Sequence, residues 1–363
     1  MNLDYLYYRG RVALSELLTA SGVVTGDFVA IQAYTCSAVP ESVFAVGAKP
    51  LYIDVEEGGV TMSSTDLELK LKSCNNVKVL IIQHTFGVVA NIKELVKIAK
   101  RHNMIVIEDC CHTHSSKYQK GKVGDFSDAS FYSFEWGKPL PLGIGGAVKV
   151  NNQKIFERLK DSYGRLKNPL IVSEFQLLIQ RAAFSIFYSP KTYWTIKYLF
   201  HLFTKYGLIQ GNQPSCNIEE KSEEFSYKIS RLIRKKIKPN LYRLEFFESR
   251  GKQVVQLYKE KLLYLKTVKE ILTLPESDVV YVRYPIWLND KEAVMELAYK
   301  NRVEVSDWYS SPVHPYSFNQ LTNAGYILGS CPNAELSSKH IVSLPLSHIP
   351  SKKFMDKLIK ILQ

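Results

Sequence analysis

Four continuous apolar runs in the first half of this 363-residue chain, at 28–33, 50–55, 77–83 and 104–108, restrict its fold more than any other feature. Each is short, bounded by turn residues and free of strict alternation, the pattern of a strand buried on both faces of a parallel sheet. Helix-like stretches lie between them. In 92–102 the apolar Ile92, Leu95, Val96 and Ala99 share one face. A repeated strand–helix order predicts an α/β fold with a mostly parallel central sheet flanked by helices. The segment 125–150 carries Phe131, Tyr132, Phe134 and Trp136 and then Gly143, Gly145 and Gly146, and 146–150 reads as the last strand of that sheet. A long helix is expected over roughly 241–265, followed by a strand over 279–287 and a helix over 291–300, which together make a smaller α/β domain. The expected division is therefore a large domain over 1–240 and a small one over 241–363, each long enough for its own core.

Residues 168–211 differ in character, being rich in Leu, Ile, Phe, Tyr and Trp with scattered Lys and Arg. Pro190 splits them in two, and in the second part Ile196, Leu199, Phe200 and Phe203 fall at helical spacing while Lys197, Thr204 and Lys205 lie off that stripe. A loop is expected over 210–222. An apolar stripe beside lysines suits a helix lying at a membrane interface. It suits equally a helix packed on a partner subunit or over an active site. Glu174, Arg181 and Pro190 argue against a span, and no run of about 18 apolar residues occurs anywhere. The start MNLDYLYYRGR has no signal-peptide pattern. Cys36, Cys74, Cys110, Cys111, Cys216 and Cys331 fit neither a zinc spacing nor a disulfide scaffold, so a cytoplasmic protein with reduced thiols is expected. The net charge of +12 draws the chain to anions, acidic lipid at the inner face of the membrane included. Arg231, Arg234, Lys235, Lys236 and Lys238 form a basic run that reads as a solvated helix face or an acidic-lipid contact. No nucleic-acid module accompanies the charge, so none is expected as a partner.

Two features carry chemistry. The run Ile105-Val106-Ile107-Glu108-Asp109 ends in carboxylates where open α/β sheets place ligands. Lys138 lies in an aromatic, glycine-flanked segment, and a buried lysine is freed as a nucleophile. Alone, each has a plain reading as a turn aspartate or a surface lysine. Together they meet the needs of pyridoxal phosphate (PLP). That cofactor requires a lysine for a Schiff base, a carboxylate beside the pyridine nitrogen, and hydroxyls or helix N-terminal amides for the phosphate. Asp109, Ser133 and Lys138 supply those groups. Cys110, Cys111, His112 and His114 crowd together, but neighbouring residues leaving a strand diverge and no second ligand pair follows, so no metal is expected. His84 and His314 are open to a structural or a substrate-facing role.

These motifs resemble the DegT/StrS family of PLP-dependent sugar aminotransferases. Glu108-Asp109-Cys110-Cys111-His112 matches the family's Glu-Asp, two small residues and then Gln or His. Ser133-Phe134 through Lys138, then Gly143-Ile144-Gly145-Gly146, matches its Ser-Phe…Lys and Gly-x-Gly-Gly elements. Gly26-Asp27, Gly47-Ala48-Lys49-Pro50, Asp54-Val55, His84 with Gly87, Gly124-Asp125, Pro332-Asn333-Ala334-Glu335 and Ser343-Leu344-Pro345-Leu346 extend the likeness over nearly the whole chain except about 165–222. The resemblance implies a fold-type I PLP-dependent transferase that works as a homodimer. It moves an amino group from an amino acid, with glutamate the expected donor, to a nucleotide-linked keto sugar. It further implies that Lys138 forms the Schiff base and shuttles protons, Asp109 pairs with the pyridine nitrogen, His112 contacts the ring hydroxyl and Ser133 binds the phosphate.

Departures accompany the matches. The family's phosphate loop Gly-Thr-Ala is here Gly10-Arg11-Val12, and Arg11 is a compensating phosphate ligand. Cys36 follows Thr35 where a ring-stacking aromatic is usual. Ile144 replaces the glutamate of Gly-Glu-Gly-Gly, and Ser226 replaces the Asn sent to the partner's phosphate. Two rival readings follow: a PLP-dependent sugar dehydratase, which the retained Lys138 opposes because those relatives carry His there, and a degenerate, membrane-associated binding partner in glycan assembly.

Overall fold

The computed structural model describes residues 3–189, 192–206 and 223–363. Pro190, Lys191, Cys216 and the loop expected over 210–222 lie outside these. The central sheet has seven strands: β1 Tyr5–Tyr7, β2 Phe28–Gln32, β3 Lys49–Ile53, β4 Val77–Gln83, β5 Ile105–Asp109, β6 Ala129–Ser133 and β7 Gly146–Val150, in the order β1-β7-β6-β5-β4-β2-β3. The five strands from β6 to β3 run parallel, and β7 is antiparallel to both of its neighbours. All four apolar runs become strands within a residue or two of their expected ends. They are continuous because both faces are covered. Val79 and Ile81 of β4 enter one core with Val29, Ile31 and Ile107, while Leu80 and Ile82 enter the other with Ala30 and Val106.

Helices α1 (Gly10–Ala20) and α2 (Ala38–Phe44) and the later α5 (Gln153–Arg165) cover the first face; α3 (Ser64–Ser73) and α4 (Ile92–Arg101) cover the second. The Asn91 side chain caps α4 by accepting from Glu94 N at 3.4 Å. Ile98 joins Ile92, Leu95 and Ala99 on its buried face, and Val96 sits at the edge.

The smaller sheet pairs β8 (Val268–Glu270), β9 (Tyr284–Leu288) and β10 (Ile341–Leu344), all antiparallel, with α9 (Lys291–Lys300) and α11 (Lys352–Leu362) against it. The strand expected over 279–287 is therefore confined to its second half. The long helix α8 spans Arg231–Leu262, beginning well before 241 because the Ser230 side chain caps it by accepting from Ile233 N. Its first turns place Ile233 and Ile237 in the large-domain core, and its last place Val254, Val255, Tyr258 and Leu262 in the small-domain core. Position 240 thus falls inside a helix shared by the two cores. The C-terminal third also returns to the large domain. Val313–His314 pairs with Thr35–Cys36, and the Asp54 carboxylate accepts from Asn333 N and Ala334 N at 3.0 and 2.8 Å, capping α10 (Pro332–His340). The 168–211 insert forms α6 (Ile171–Phe187) and α7 (Tyr193–Lys205).

Candidate active site

Three of the parallel strands end at one cleft, which holds about 530 Å³ of atom-free space, part of it open to solvent. Asp109 closes β5, Ser133 closes β6, Gln83 closes β4, and α1 enters with Gly10 and Arg11. Cys36, His112, Glu135 and Lys138 complete the wall, and the C-terminal third adds Tyr309. Seven of the eight residues singled out in the sequence therefore meet at one place. Ser226 does not: it is exposed, and its carbonyl accepts from Lys167 N at 2.8 Å.

Adjacent carboxylates on β5 have opposite environments, since successive side chains point to opposite faces. Glu108 is fully buried and accepts four hydrogen bonds: His84 Nε2 at 3.2 Å, Gly124 N at 2.8 Å, Phe126 N at 3.1 Å and Ser127 Oγ at 2.7 Å. Burial opposes its charge, but these donors prevail and hold its pKa below the usual carboxylate value. His84 lines the cleft, yet its Nδ1 accepts from Ala90 N at 3.3 Å while Nε2 faces Glu108, so its role is structural. His84, Glu108 and Cys110 bring ligand-type atoms within 4.8 Å of one another, but the hydrogen bonds already occupy the imidazole and the carboxylate. Asp109 accepts from Cys111 N at 2.9 Å, and burial, which Cys111 and Lys138 offset only in part, raises its pKa. It is a carboxylate whose burial is only partly compensated, in the wall of a cleft, the environment a ligand cation would relieve.

His112 accepts from Phe86 N at 3.0 Å through Nδ1, and burial together with Lys138 keeps its pKa well below the ordinary imidazole value. The ring is therefore neutral and carries its proton on Nε2, 3.4 Å from the Tyr309 hydroxyl. Trp308 stacks on His112 at 5.3 Å and 9°, and Lys138 Nζ lies 5.5 Å from the Trp308 ring centre. These aromatics stand near Cys36, whose thiol is kept protonated by burial. His314 is outside the cleft lining, with Nδ1 3.0 Å from Ser310 Oγ. Ile144 is core, 1% exposed.

The opposite end of the cleft suits an anion. Helix α1 has no acidic residue in its first turn and no side-chain cap from Arg9, leaving amide donors at the mouth. A Cβ on Gly10 would stand 3.1 Å from Ser133 Cβ, and one on Gly146 would meet the Arg9 carbonyl at 2.4 Å. Gly146 thus lets the backbone at Arg9 and Gly10 approach closely, and Gly10 lets α1 start against Ser133. Arg11 does not project alone into this space. Its Nη1 pairs with Glu41 at 2.5 Å, while Arg9 pairs with Glu135 at 3.0 Å and Glu224 at 2.6 Å. Burial opposes the charge of Glu135, but Arg9, Arg11 and Lys138 outweigh it and lower its pKa. A primary amine, a buried carboxylate, a neutral imidazole donor, and a hydroxyl beside a glycine-lined helix N-terminus form a donor set that fits PLP.

Sequence reasoning passed over Gln83, Glu135 and Tyr309. Gln83 ends a buried strand as Asp109 does, so the same rule could have found it. Glu135 stands within the Ser133–Lys138 segment. Tyr309 has no sequence signal, since only folding brings it to the large domain. The insert packs on segments adjacent to those that line the cleft. On α6, Leu177 touches the Gly143 turn, Arg181 donates to the Leu142 carbonyl, and Phe184 lies 4.1 Å from the Trp136 ring. On α7, Trp194 Nε1 donates to the Val303 carbonyl at 2.9 Å and Lys197 pairs with Asp307 at 3.2 Å. On its inner side the insert therefore packs on this chain's own 136–143 and 303–307 segments.

The profile of the DegT/DnrJ/EryC1/StrS aminotransferase family matches residues 9–172 and 210–363. The GDP-perosamine synthase of Escherichia coli O157:H7 is 34% identical over 149 residues, 41% of this chain and 40% of that protein. The L-glutamine:2-deoxy-scyllo-inosose aminotransferase of Streptomyces kanamyceticus is 28% identical over 151 residues, 42% of this chain and 35% of that protein. The chain thus spans less than half the length of these curated relatives. Among solved structures, S. venezuelae DesV in complex with a ketimine intermediate superposes with a TM-score of 0.73 at 21% identity, covering 99% of this chain and 84% of that one. The PMP-form of the putative sugar aminotransferase Spr1654 from Streptococcus pneumoniae gives 0.73 at 16% identity, covering 99% and 86%. The fold is that of the fold-type I transferases.

Proposed function

This chain belongs to the DegT/DnrJ/EryC1/StrS aminotransferase family, and on that premise we propose that it is a cytoplasmic, PLP-dependent sugar aminotransferase. The observation that carries the reading is the meeting of Asp109, Ser133, the α1 N-terminus and Lys138 on one cleft. Bound there, PLP supplies an electron sink that makes the α-proton of an attached amino acid labile. Asp109 would keep the pyridine nitrogen protonated, which would also relieve its own burial. Ser133 and the first amides of α1 would hold the phosphate. His112 would donate from Nε2 to the ring hydroxyl oxygen. Lys138 would hold the cofactor through its amine and, when free, would serve as the base and acid for the α-proton.

Glutamate is the proposed donor, and a keto sugar linked to a nucleotide is the proposed acceptor; the GDP sugar in the name of the E. coli relative supports the latter. The site works in a homodimer, with Ser226 directed to the partner's phosphate. A binding-only homologue is the second reading. It is favoured by three carboxylates against two arginines beside the phosphate end and by Ile144 in the core. Borohydride reduction of the PLP-loaded protein followed by peptide mapping tests the assignment. The pyridoxyl group is expected on Lys138, and its appearance on another lysine, or nowhere, refutes it. Amino transfer from glutamate to a nucleotide-linked keto sugar then separates the enzyme from the binding-only homologue.

A further inference from the structure

The inner sides of the insert pack on the 136–143 and 303–307 segments; the outer side of α6 packs on nothing among the described residues. Ile171 is 86% exposed, Val172 68%, Phe175 62%, Ile179 55% and Ile186 74%. At helical spacing these five share one side, opposite Leu177 and Phe184. No charge interrupts them. The charged residues of α6 are Glu174 and Arg181, and both are committed inward: Glu174 accepts from Ser230 Oγ at 2.7 Å and Arg231 N at 2.9 Å, and Arg181 donates to the Leu142 carbonyl. Those Glu174 bonds set the start of α6 beside the start of α8. There Arg231, Arg234, Lys235, Lys236 and Lys238 are all exposed, and 228–243 contains no acidic residue.

We propose that the outer face of α6, together with the basic first turns of α8, is a docking surface for an anionic lipid bilayer. A soluble monomer rarely leaves so continuous an apolar face uncovered. An apolar stripe buried in the acyl boundary with cations at the headgroups is how an interfacial helix binds. The charge pattern selects lipid over a second copy. Two-fold pairing through this face would set cation against cation in a chain of net charge +12, with no exposed acidic residue among the described residues of α6 and 228–243 to answer them. Because α6 lies directly over the Trp136–Gly143 segment that carries Lys138, docking brings the cleft to the membrane surface. This inference is independent of the cofactor assignment.

Co-sedimentation with vesicles tests it. With the full-length protein, binding to phosphatidylcholine vesicles containing phosphatidylglycerol should exceed binding to phosphatidylcholine alone by about tenfold, and salt should weaken it without abolishing it. The double variant Ile179→Glu/Ile186→Glu changes only exposed side chains. It should keep its circular-dichroism melt and lose binding. Arg234→Glu/Lys235→Glu should lose the preference for phosphatidylglycerol. The proposal is overturned if the wild type stays in the supernatant at low salt, or if the double glutamate variant still sediments. It is also overturned if that variant instead turns a wild-type dimer into a monomer by analytical ultracentrifugation, which would assign the face to a second copy.

Discussion

Replacing Glu108 or Asp109 by its amide should have opposite consequences, although the two are adjacent. The Glu108 carboxylate gives two oxygens to four donors, His84 and Gly124 on Oε2 and Phe126 and Ser127 on Oε1. Glutamine offers one oxygen and one NH2 group. Its best placement turns the NH2 toward Ser127, whose hydroxyl can then accept and turn its one proton to the Ala129 carbonyl. Phe126 N–H then faces a donor and loses its partner. An unsatisfied buried donor costs about 1–3 kcal/mol, and the remaining bonds lose their charge assistance, so Glu108→Gln should destabilise the apo protein by about 3 kcal/mol. In Asp109→Asn the amide oxygen still accepts from Cys111 N, and a carboxylate disfavoured by burial is removed, so apo stability should stay level or rise. Urea titration of both variants measures this. The pH dependence adds a sign. Glu108 has a lowered folded pKa, so its stabilisation is present above its unfolded value near about 4.3 and disappears as pH falls through the folded value. The wild type should therefore converge on Glu108→Gln in acid. Asp109 has a raised folded pKa, so its favourable contribution is lost as pH rises through that value, and Asp109→Asn should gain on the wild type there. A loss below about 1 kcal/mol for Glu108→Gln, or a larger loss for Asp109→Asn, would refute the division into a structural and a chemical carboxylate.

Two further expectations concern the cleft. Glu41→Gln removes a negative charge from the Arg9–Arg11–Glu41–Glu135–Glu224 group and releases Arg11 for the phosphate; at an effective dielectric of about 20 and a separation of about 8 Å, one charge is worth about 2 kcal/mol. PLP should therefore bind about tenfold more tightly or better by absorbance titration, and unchanged or weaker binding would show that Arg11 does not serve the phosphate. His112→Gln, whose side chain can still accept from Phe86 N, should keep the apo unfolding midpoint, whereas His112→Leu should lose about 1–2 kcal/mol; equal losses would exclude that hydrogen bond as the anchor.

The sequence alone determined what depends on local order. Apolar runs without alternation marked strands covered on both faces, and every one of them became a strand of the parallel sheet. Asp109 and Lys138 were legible because a strand's C-terminal end and a glycine-flanked turn are short-range features, and the motif spacing tied Ser133 and His112 to them. Tertiary structure decided the rest. That Glu108 is an anchor and Asp109 is open depends on which face of the sheet carries donors, and those donors come from His84 and the 124–127 turn. That Arg11 is already paired depends on Glu41 and Glu224, which are distant in sequence. Tyr309 reaches the cleft only because Val313–His314 pairs with Thr35–Cys36. Position 240 lies within α8 because the cap that starts this helix is the Ser230 side chain, with Glu174 of the insert bonded to its first amides. A periodicity reports which residues share a side of an element. Only the assembled layers fix what that side meets, so the insert's apolar stripe was visible in the chain, while its division into an inner face on the 136–143 and 303–307 segments and an outer face in solvent was not.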